Sequence, residues 1–221
     1  MCGRYYLSDP EGIFTQYGVP KNEYQKIEPD YNIAPGRELP VVLEDSKGRH
    51  LRMVKWGLIP SWAKDPKIGY KMINARMETL MEKPSWERPL VSQRALIPSN
   101  GFYEWKREGT KKEPFIIKAK DRELISFAGL YDIWKDSNGN LVPTFTIITA
   151  PADDTVNKIH DRMPVILTRE GEEKWLDYTV KDPDLLENIL SSNEDHSLES
   201  YKVSEKVNKP VNNSKDLLQP V

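Results

Sequence analysis

The sequence predicts one α+β domain dominated by antiparallel strands. Paired apolar runs flank short turn signals, and short helical segments begin at Asp-Pro pairs. The 17 prolines and 12 glycines interrupt all 221 residues without a repeat period. A chain of this length buries roughly 70 to 75% of its unfolded surface, so a core can form without disulfides or metals. We therefore expect residues 1–221 to form a single domain.

Three short helices are predicted. The Asp-Pro pair at residues 9–10 supplies an N-cap and a proline at the first helical position, and Gly18 supplies a stop. These signals predict a helix over residues 10–17. A similar Asp-Pro start at residues 182–183 opens the segment DLLENIL, and the charged segment REGEEKWLDY at residues 169–178 predicts another helix.

Most of the remaining signal is typical of strands joined by tight turns. PVVLE and HLRMVKWGLI flank a turn at residues 45–48, and PFIIKAK and ELISFAGLY flank a turn at residues 121–122. Both arrangements predict hairpins. A third turn, at residues 136–140, leads into the strand PTFTIITA.

The near-neutral total charge of -2 hides an uneven distribution. Residues 49–76 carry seven bases and one acid, whereas residues 169–199 carry three bases and ten acids. This pattern predicts a basic face that meets phosphates, although a solvated surface on both sides explains the charges equally well. No apolar run is long enough for a membrane span or a signal peptide, so we expect a cytoplasmic protein.

Cysteine and histidine usage argues against a metal site. With one cysteine the chain forms no internal disulfide and no Cys-rich zinc site. The remaining candidate ligands, His50, His160 and His196, are scattered without ligand spacing.

Position 2 carries the most informative residue. Methionine before a small residue is normally trimmed, so the mature chain would begin with Cys2 and present an α-amine and a thiol on adjacent carbons. An α-amine has a pKa near 8, so a useful fraction is neutral at about pH 7. It can condense with an aldehyde to an imine, and the thiol can close a five-membered thiazolidine. The alternative is that Cys2 is only a small residue after the start codon.

Three triplets place an arginine two residues after a chemically useful side chain. In extended backbone these two side chains point to the same face, so each reactive group would lie beside a guanidinium, which grips phosphate well. The triplets are Cys2-Gly3-Arg4, Asn74-Ala75-Arg76 and His160-Asp161-Arg162.

Other candidate functional residues lie among aromatic side chains. Glu104 in GFYEW would be partly desolvated on a strand, which suits general acid/base work, but a solvated edge glutamate fits equally well. His160 is the histidine best placed to function, although a lone histidine is more often structural. In WGLIPSW, Trp62 is a candidate for stacking on nucleic acid bases, while core packing is favoured for Trp56.

Taken together, several motifs in order along the chain resemble the SRAP (SOS response-associated peptidase) family of abasic-site processing proteins. They are MCGRY, YNIAP, WGLIPSW, INARMET, LIPSNGFYEW, FAGLY, TIITA, HDRMPVIL and VNNSKDLLQPV. The resemblance implies a barrel-like core of mainly antiparallel strands with several short helices. It also implies a monomeric sensor of abasic sites in single-stranded DNA, with no small-molecule cofactor and no membrane partner.

The resemblance further implies roles for particular residues. Cys2 would form the covalent thiazolidine crosslink through a Schiff base, and Asn74 would orient the N-terminus and the sugar. Glu104 would assist sugar ring opening and proton transfer, and His160 would act on the imine and its reversal. The DNA-binding residues implied or placed by this match are Arg4, Arg76, Arg162, Trp62 and Trp56. A weak lyase side reaction is expected, with peptidase activity restricted to removal of Met1.

Two competing interpretations stay open. A glutamine amidotransferase also begins with a nucleophilic cysteine, and Asn100-Gly101 would then form its oxyanion site. Arg4 argues against this, because an apolar continuation is expected there. In the other interpretation the chain is a noncatalytic nucleic-acid binder in which Trp62 and the basic stretch matter and Cys2 does not.

Overall fold

The computed structural model describes residues 2–21, 26–191 and 197–221 of the chain. The strands in these ranges are β1 (Tyr5–Leu7), β2 (Asp30–Ile33), β3 (Glu38–Asp45), β4 (Gly48–Trp56), β5 (Asn74–Arg76), β6 (Arg94–Ser99), β7 (Gly101–Glu108), β8 (Lys111–Ala119), β9 (Ile125–Lys135), β10 (Leu141–Pro151), β11 (Arg162–Pro164), β12 (Ile166–Leu167) and β13 (Leu198–Lys202). The helices are α1 (Gly12–Tyr17), α2 (Pro84–Ser92), α3 (Arg169–Leu176) and α4 (Pro183–Ser191).

Five strands close into a barrel. The pairing runs from β10 to β4, β3, β6 and β9 and returns to β10, so every strand of the ring has two neighbours. The β10–β4 pairing is parallel and the other four are antiparallel. Closure removes the exposed strand edges that an open sheet would present. The predicted α+β class and barrel-like antiparallel core are confirmed.

A second, antiparallel sheet packs on the barrel. Its strands follow the order β13, β8, β7, β1, β2. Tyr5 of β1 contacts the ring of Trp56 at 5.3 Å and that of Phe127 at 5.8 Å, both of which belong to barrel strands. Phe102 of β7 also meets Phe127, at 5.9 Å. The two sheets therefore share one aromatic core, and β1 carries the N-terminal segment onto it.

Two of the three predicted turns join paired strands. The turn at residues 45–48 joins β3 to β4, and the turn at residues 136–140 joins β9 to β10. The hairpin predicted around residues 121–122 is wrong. Strand β8 pairs with β7 and β13, whereas β9 pairs with barrel strands, so the chain passes from one sheet to the other at this point. The hairpin partner of β8 is β7, joined through Gly109, which adopts a positive φ of 61°.

The three predicted helices are confirmed as α1, α4 and α3. Helix α1 ends at Gly18 in the left-handed conformation, with φ 63°, as the glycine stop indicates. The Asp9 carboxylate accepts the backbone N–H of Gly12, although the helix begins two residues later than predicted. Helix α2 was not predicted. In the described part of the chain, no helix is both long and apolar enough to cross a bilayer.

Candidate active site

The N-terminal segment runs alongside β7 and carries Cys2 toward Glu104. In the β1–β7 ladder Tyr5 lies opposite Phe102, and the backbone N–H of Tyr103 donates to the Arg4 carbonyl at 2.9 Å. Cys2 is fully buried, and its Sγ donates a weak hydrogen bond to the Arg4 carbonyl at 3.8 Å. Burial raises the pKa of the Cys2 thiol well above its usual range, and the nearby Glu104 carboxylate raises that pKa further. The thiol is therefore protonated at neutral pH.

Glu104 is a buried carboxyl set up for proton transfer. Its side chain belongs to β7, between fully buried Tyr103 and half-buried Trp105, and only 3% of the residue is exposed. Burial raises the pKa of Glu104 to about 7, with a smaller contribution from the negative charge of Asp161. The desolvation expected from the GFYEW motif is thus confirmed. A carboxyl with a pKa near neutrality can both donate and accept a proton at physiological pH.

His160 lies in the same cleft as Glu104, and its ring is neutral at physiological pH. It precedes β11 and is partly buried, and burial lowers its pKa below the ordinary value. The backbone N–H of Arg162 donates to His160 Nδ1 at 3.0 Å. The Asp161 carboxylate, 2.9 Å from the same nitrogen, favours the protonated ring, but burial outweighs its effect on the pKa of His160.

One cleft joins Glu104 and His160 to the surface. Its volume is about 420 Å³, and it opens between the β7–β8 hairpin, the loop before β11 and the turn at residues 205–208. Its lining residues are Glu104, Trp105, Arg107, Lys112, His160 and Asn208. The indole Nε1 of Trp105 donates to the Asn208 side chain at 2.7 Å, which joins two of the walls. The structure thus brings Glu104 and His160 together in one open cleft, and Cys2 lies near Glu104 but is buried and does not line the cleft.

Asn74 has a buried side-chain amide with unused hydrogen-bonding capacity. It begins β5, which pairs in parallel with β10 opposite Ile147. Both its Nδ2 and its Oδ1 are buried, and neither has a hydrogen-bond partner within residues 2–21, 26–191 and 197–221. Leaving a buried polar atom unpaired costs about 1–3 kcal/mol. The orienting role implied for Asn74 stays a prediction.

Two of the three predicted DNA-binding arginines make internal contacts. Arg4 donates to Asn32 Oδ1 at 2.6 Å and to the Val207 carbonyl at 2.7 Å, and its guanidinium lies 5.7 Å from the centre of the Trp105 ring.

Arg162 forms a two-pronged ion pair with Glu78 and also donates to the Thr149 carbonyl at 2.6 Å. Arg76 is exposed. The roles of all three arginines at DNA stay predictions.

The two tryptophans of WGLIPSW have opposite environments. Trp56 is 1% exposed, packs between Tyr5 and Phe145, and donates from Nε1 to the Ile73 carbonyl at 2.9 Å. Its assignment as a DNA-binding residue is therefore wrong, because its ring has no surface to offer a base. Trp62 is 62% exposed.

The backbone on both sides of Trp62 is held by β9. The N–H of Ser61 donates to the Asp132 carboxylate at 2.7 Å, and Trp134 Nε1 donates to the Ala63 carbonyl at 2.7 Å. Asp132 itself is buried. These two hydrogen bonds present an exposed aromatic ring on a fixed backbone, which is the arrangement that stacking on a base requires.

The basic and acidic stretches are not separate surfaces throughout. Arg49, from the basic stretch, forms ion pairs with Glu44 and with Glu173 of the acidic stretch. The exposed bases of this stretch are Arg52, Lys64, Lys67, Lys71 and Arg76, of which Lys64 and Lys67 follow Trp62 closely in the sequence.

Sequence reasoning missed the cleft residues Trp105, Arg107, Lys112 and Asn208 and the two β9 residues that hold the Trp62 segment. The alternation along GFYEWKR already places Trp105 and Arg107 on one face of a strand. Lys112 and Asn208 needed the correct hairpin and the path of the C-terminal segment, neither of which has a local signal.

The histidines do not form a metal cluster in the part of the chain described. Within it, no group of three or more His, Cys, Asp or Glu side chains is arranged around a common point. His50 lies beside the Gly48 carbonyl on the β3–β4 hairpin, far along the chain from His160. His196 lies outside the described residues, as does Met1.

Asn100 is occupied by structural hydrogen bonds. Its Oδ1 accepts the backbone N–H groups of Ser8 and Asp9 at 2.7 and 3.1 Å, and its Nδ2 donates to the Glu123 carbonyl at 2.7 Å. Gly101 lies opposite Tyr6 in the β1–β7 ladder, four residues from Cys2 along the chain. At about 3.3 Å per residue the Asn100-Gly101 pair is roughly 13 Å from Cys2. The oxyanion site of a glutamine amidotransferase is thus not formed at Cys2.

The fold and the site define a class of barrel protein whose candidate active site is built on a cysteine at position 2, a buried glutamate and a histidine. The family model described as SOS response associated peptidase (SRAP) matches residues 1–210, and the chain belongs to this family.

The chain resembles named relatives over its whole length. It is 48% identical to the abasic site processing protein YoqW of Bacillus subtilis, over 99% of both chains. It is 34% identical to the abasic site processing protein HMCES of Xenopus tropicalis, over 89% of this chain and 67% of that one. A crystal structure of a protein from Bacteroides thetaiotaomicron superposes with a TM-score of 0.89 at 29% identity, over the full length of both chains.

Proposed function

We propose that this protein processes abasic sites in single-stranded DNA by bonding to them covalently through Cys2, after removal of Met1. The bond protects the damaged strand during the DNA damage response. The observation that carries the proposal is the position of Glu104, a buried carboxyl with a pKa of about 7 next to Cys2 and in one cleft with His160. The names of the relatives support the same substrate.

Capture begins with the opening of the sugar ring. An abasic deoxyribose is mostly a closed hemiacetal, so a group must move a proton between its oxygens before an aldehyde is available. Because burial raises the pKa of Glu104 to about 7, its carboxyl can both donate and accept this proton near neutral pH. A single strand that lacks a base at this position has no pairing and little stacking to break, so placing its sugar in the cleft costs little free energy.

Bond formation then follows in two steps. The neutral α-amine of Cys2 adds to the aldehyde carbon and water leaves, which gives an imine. The Cys2 sulfur adds to the imine carbon while its proton passes to the nitrogen, which gives a thiazolidine ring with no net loss of atoms. Because the raised pKa keeps the thiol protonated, the amine attacks first and the sulfur closes the ring second.

His160 and Asn74 assist the same intermediate. The lowered pKa of His160 keeps its ring neutral, so it can take a proton during imine formation and return it during reversal. The buried amide of Asn74 can hold the sugar or the freed amine. The imine also permits elimination of the 3′ phosphate, which accounts for a weak lyase side reaction. Peptidase activity is limited to the residue ahead of Cys2.

The decisive test is the state of the N-terminus. A variant with a lysine inserted between Met1 and Cys2 keeps its methionine, and we expect it to bind an abasic oligonucleotide without forming a heat-stable adduct. Cys2→Ser is the matched control, since it keeps the amine and should give an adduct only after borohydride trapping. Intact-mass analysis reports methionine removal and adduct stoichiometry together.

A heat-stable adduct from the inserted variant would refute the mechanism. Release of ammonia from glutamine that is lost on Cys2→Ala would favour the amidotransferase alternative.

A further inference from the structure

The β7–β8 hairpin has a different charge pattern on each of its two faces. On one face Lys106 lies opposite Glu113, and Glu108 lies opposite Lys111. These four residues also form ion pairs along the strands, Lys106 with Glu108 at 2.8 Å and Lys111 with Glu113 at 2.7 Å. Every charge on this face has a partner of opposite sign.

The other face carries two cations directly opposite each other. Arg107 of β7 pairs in register with Lys112 of β8, and both side chains are exposed. Within the described ranges, neither residue forms an ion pair, since the acids of the hairpin are paired with Lys106, Lys111 and Lys202. Like charges directly opposite in an antiparallel pair are destabilising. The fold therefore holds this pair at a cost in stability, which a bound anion would offset.

Both cations face the cleft of the candidate active site. Arg107 and Lys112 line it together with Glu104 and His160, and the positive charge of Arg107 contributes to the lowered pKa of His160. Opposite side chains in an antiparallel pair have Cβ atoms about 4.5–5.5 Å apart. Two long cationic side chains at this separation converge on a single anion.

We propose that Arg107 and Lys112 form a clamp for one backbone phosphate of single-stranded DNA, the phosphate next to the abasic sugar held at Glu104 and His160. This inference rests on the proposed function and names the residues that set the register of the strand in the cleft. The planar guanidinium of Arg107 can donate two hydrogen bonds to the phosphate, and the ammonium of Lys112 supplies a compact positive charge. By holding the neighbouring phosphate, the clamp places the sugar carbon within reach of the Cys2 amine.

The experiment compares two double variants of the same net charge. In Arg107→Gln/Lys112→Gln the clamp is lost, and in Lys106→Gln/Lys111→Gln the same number of cations is lost from the opposite face of the hairpin. The DNA probe is a single-stranded oligonucleotide with a tetrahydrofuran residue, which has the shape of an abasic site but no aldehyde. Affinity is measured by fluorescence anisotropy between about 50 and 200 mM salt.

We expect the clamp variant to bind about tenfold or more weakly, since hydrogen bonds to charged groups are strong. Its log-log salt slope should flatten by about 0.7, the value for one phosphate of a single strand. The control should bind like the wild type. The melting temperature of the clamp variant should be unchanged or raised, because a repulsive pair has been removed, so the loss is not one of folding.

A neutral methylphosphonate in the probe locates the contact. Placed at the phosphate on one side of the tetrahydrofuran residue, it should weaken wild-type binding and have no further effect on the clamp variant. Equal affinity and slope for the clamp variant and the wild type would overturn the clamp, as would equal losses in both double variants. The clamp would also be overturned if a methylphosphonate at one flanking phosphate and a methylphosphonate at the other both left the affinity of the wild type unchanged.

Wild-type crosslinking to an abasic oligonucleotide, run in parallel, separates the two proposals. A wild type that forms the adduct while the clamp variant binds normally refutes only the clamp. A wild type that neither binds nor forms the adduct refutes the proposed function and the clamp together.

Discussion

Replacing Glu104 with glutamine should stabilise the protein at alkaline pH while slowing its reaction with DNA. The pKa of Glu104 is about 7 in the folded chain, because of burial, against an ordinary value of 4.5. Between these two values the folded state binds the proton and the unfolded state does not. Stability is therefore unaffected by this group below about pH 4.5, falls as the pH rises from 4.5 to about 7, and is constant again above that range.

The size of the effect follows from the two pKa values. Each pH unit between folded and unfolded pKa is worth about 1.4 kcal/mol, so the buried carboxylate costs on the order of 3 kcal/mol at pH 8. Glutamine has the same shape and no charge at any pH. The difference in unfolding free energy between Glu104→Gln and the wild type should thus grow by on the order of 3 kcal/mol from pH 4.5 to pH 8. For a chain of this size this corresponds to about 6 to 12 °C in melting temperature.

Urea denaturation of both proteins at several pH values measures this difference directly. Glu113→Gln is a control with the opposite expected pH dependence, because ion pairs with Lys111 and Lys202 lower the pKa of Glu113 to about 2. That change should destabilise the protein at neutral pH, and the effect should fade as the pH falls through the range from 4.5 to 2. A Glu104→Gln difference that stays constant from pH 4.5 to pH 8 would refute the account of a buried, protonatable carboxyl. Adduct formation should slow more than DNA binding weakens, whereas equal losses would indicate a positional role only.

Two further predictions concern side chains with unusual hydrogen bonding. Asn74→Leu removes two buried polar atoms that lack hydrogen-bond partners in the described chain. Urea denaturation should therefore find the stability unchanged or higher, while adduct formation falls about tenfold or more. A large loss of stability would contradict the predicted ligand role. Trp134→Phe removes the donor to Ala63 and should weaken single-stranded DNA binding several-fold by freeing the segment that carries Trp62. In a Trp62→Ala background the same change should have no further effect, and additive losses would separate the two residues.

Local signals in the sequence were enough for the elements and for the chemistry of the main groups. The turn at residues 45–48 and the glycine stop at Gly18 act within a few residues, so they predict β3–β4 and α1 correctly. The turn at residues 121–122 has similar residue types, yet it connects two sheets. The turn at residues 121–122 lacks a glycine such as Gly48, which has a positive φ of 106°, and the partner of β8 is set instead by the competing turn at Gly109 and by packing on the barrel.

Some properties of the candidate site were also predictable from neighbouring residues, whereas others depend on contacts between distant parts of the chain. The aromatic neighbours of Glu104 predict its desolvation, since they are adjacent in sequence. The engagement of Arg162 with Glu78, or of Arg4 with Val207, depends on contacts across 84 and 203 residues. Trp56 and Trp62 share one motif, and the core packing favoured for Trp56 and the exposure expected of Trp62 are both confirmed, because the apolar strand neighbours of Trp56 and the proline before Trp62 are local signals.

The contact of Arg4 with the Val207 carbonyl has a consequence for synthesis on the ribosome. Asn32 also donates to carbonyls of Val207, Lys209 and Asn212. The contacts that hold the N-terminal segment are therefore completed by residues made near the end of translation. Before those residues are made, these contacts do not exist, and the N-terminal residues stay accessible to an aminopeptidase. Under the proposed function, the removal of Met1 can therefore precede the enclosure of Cys2.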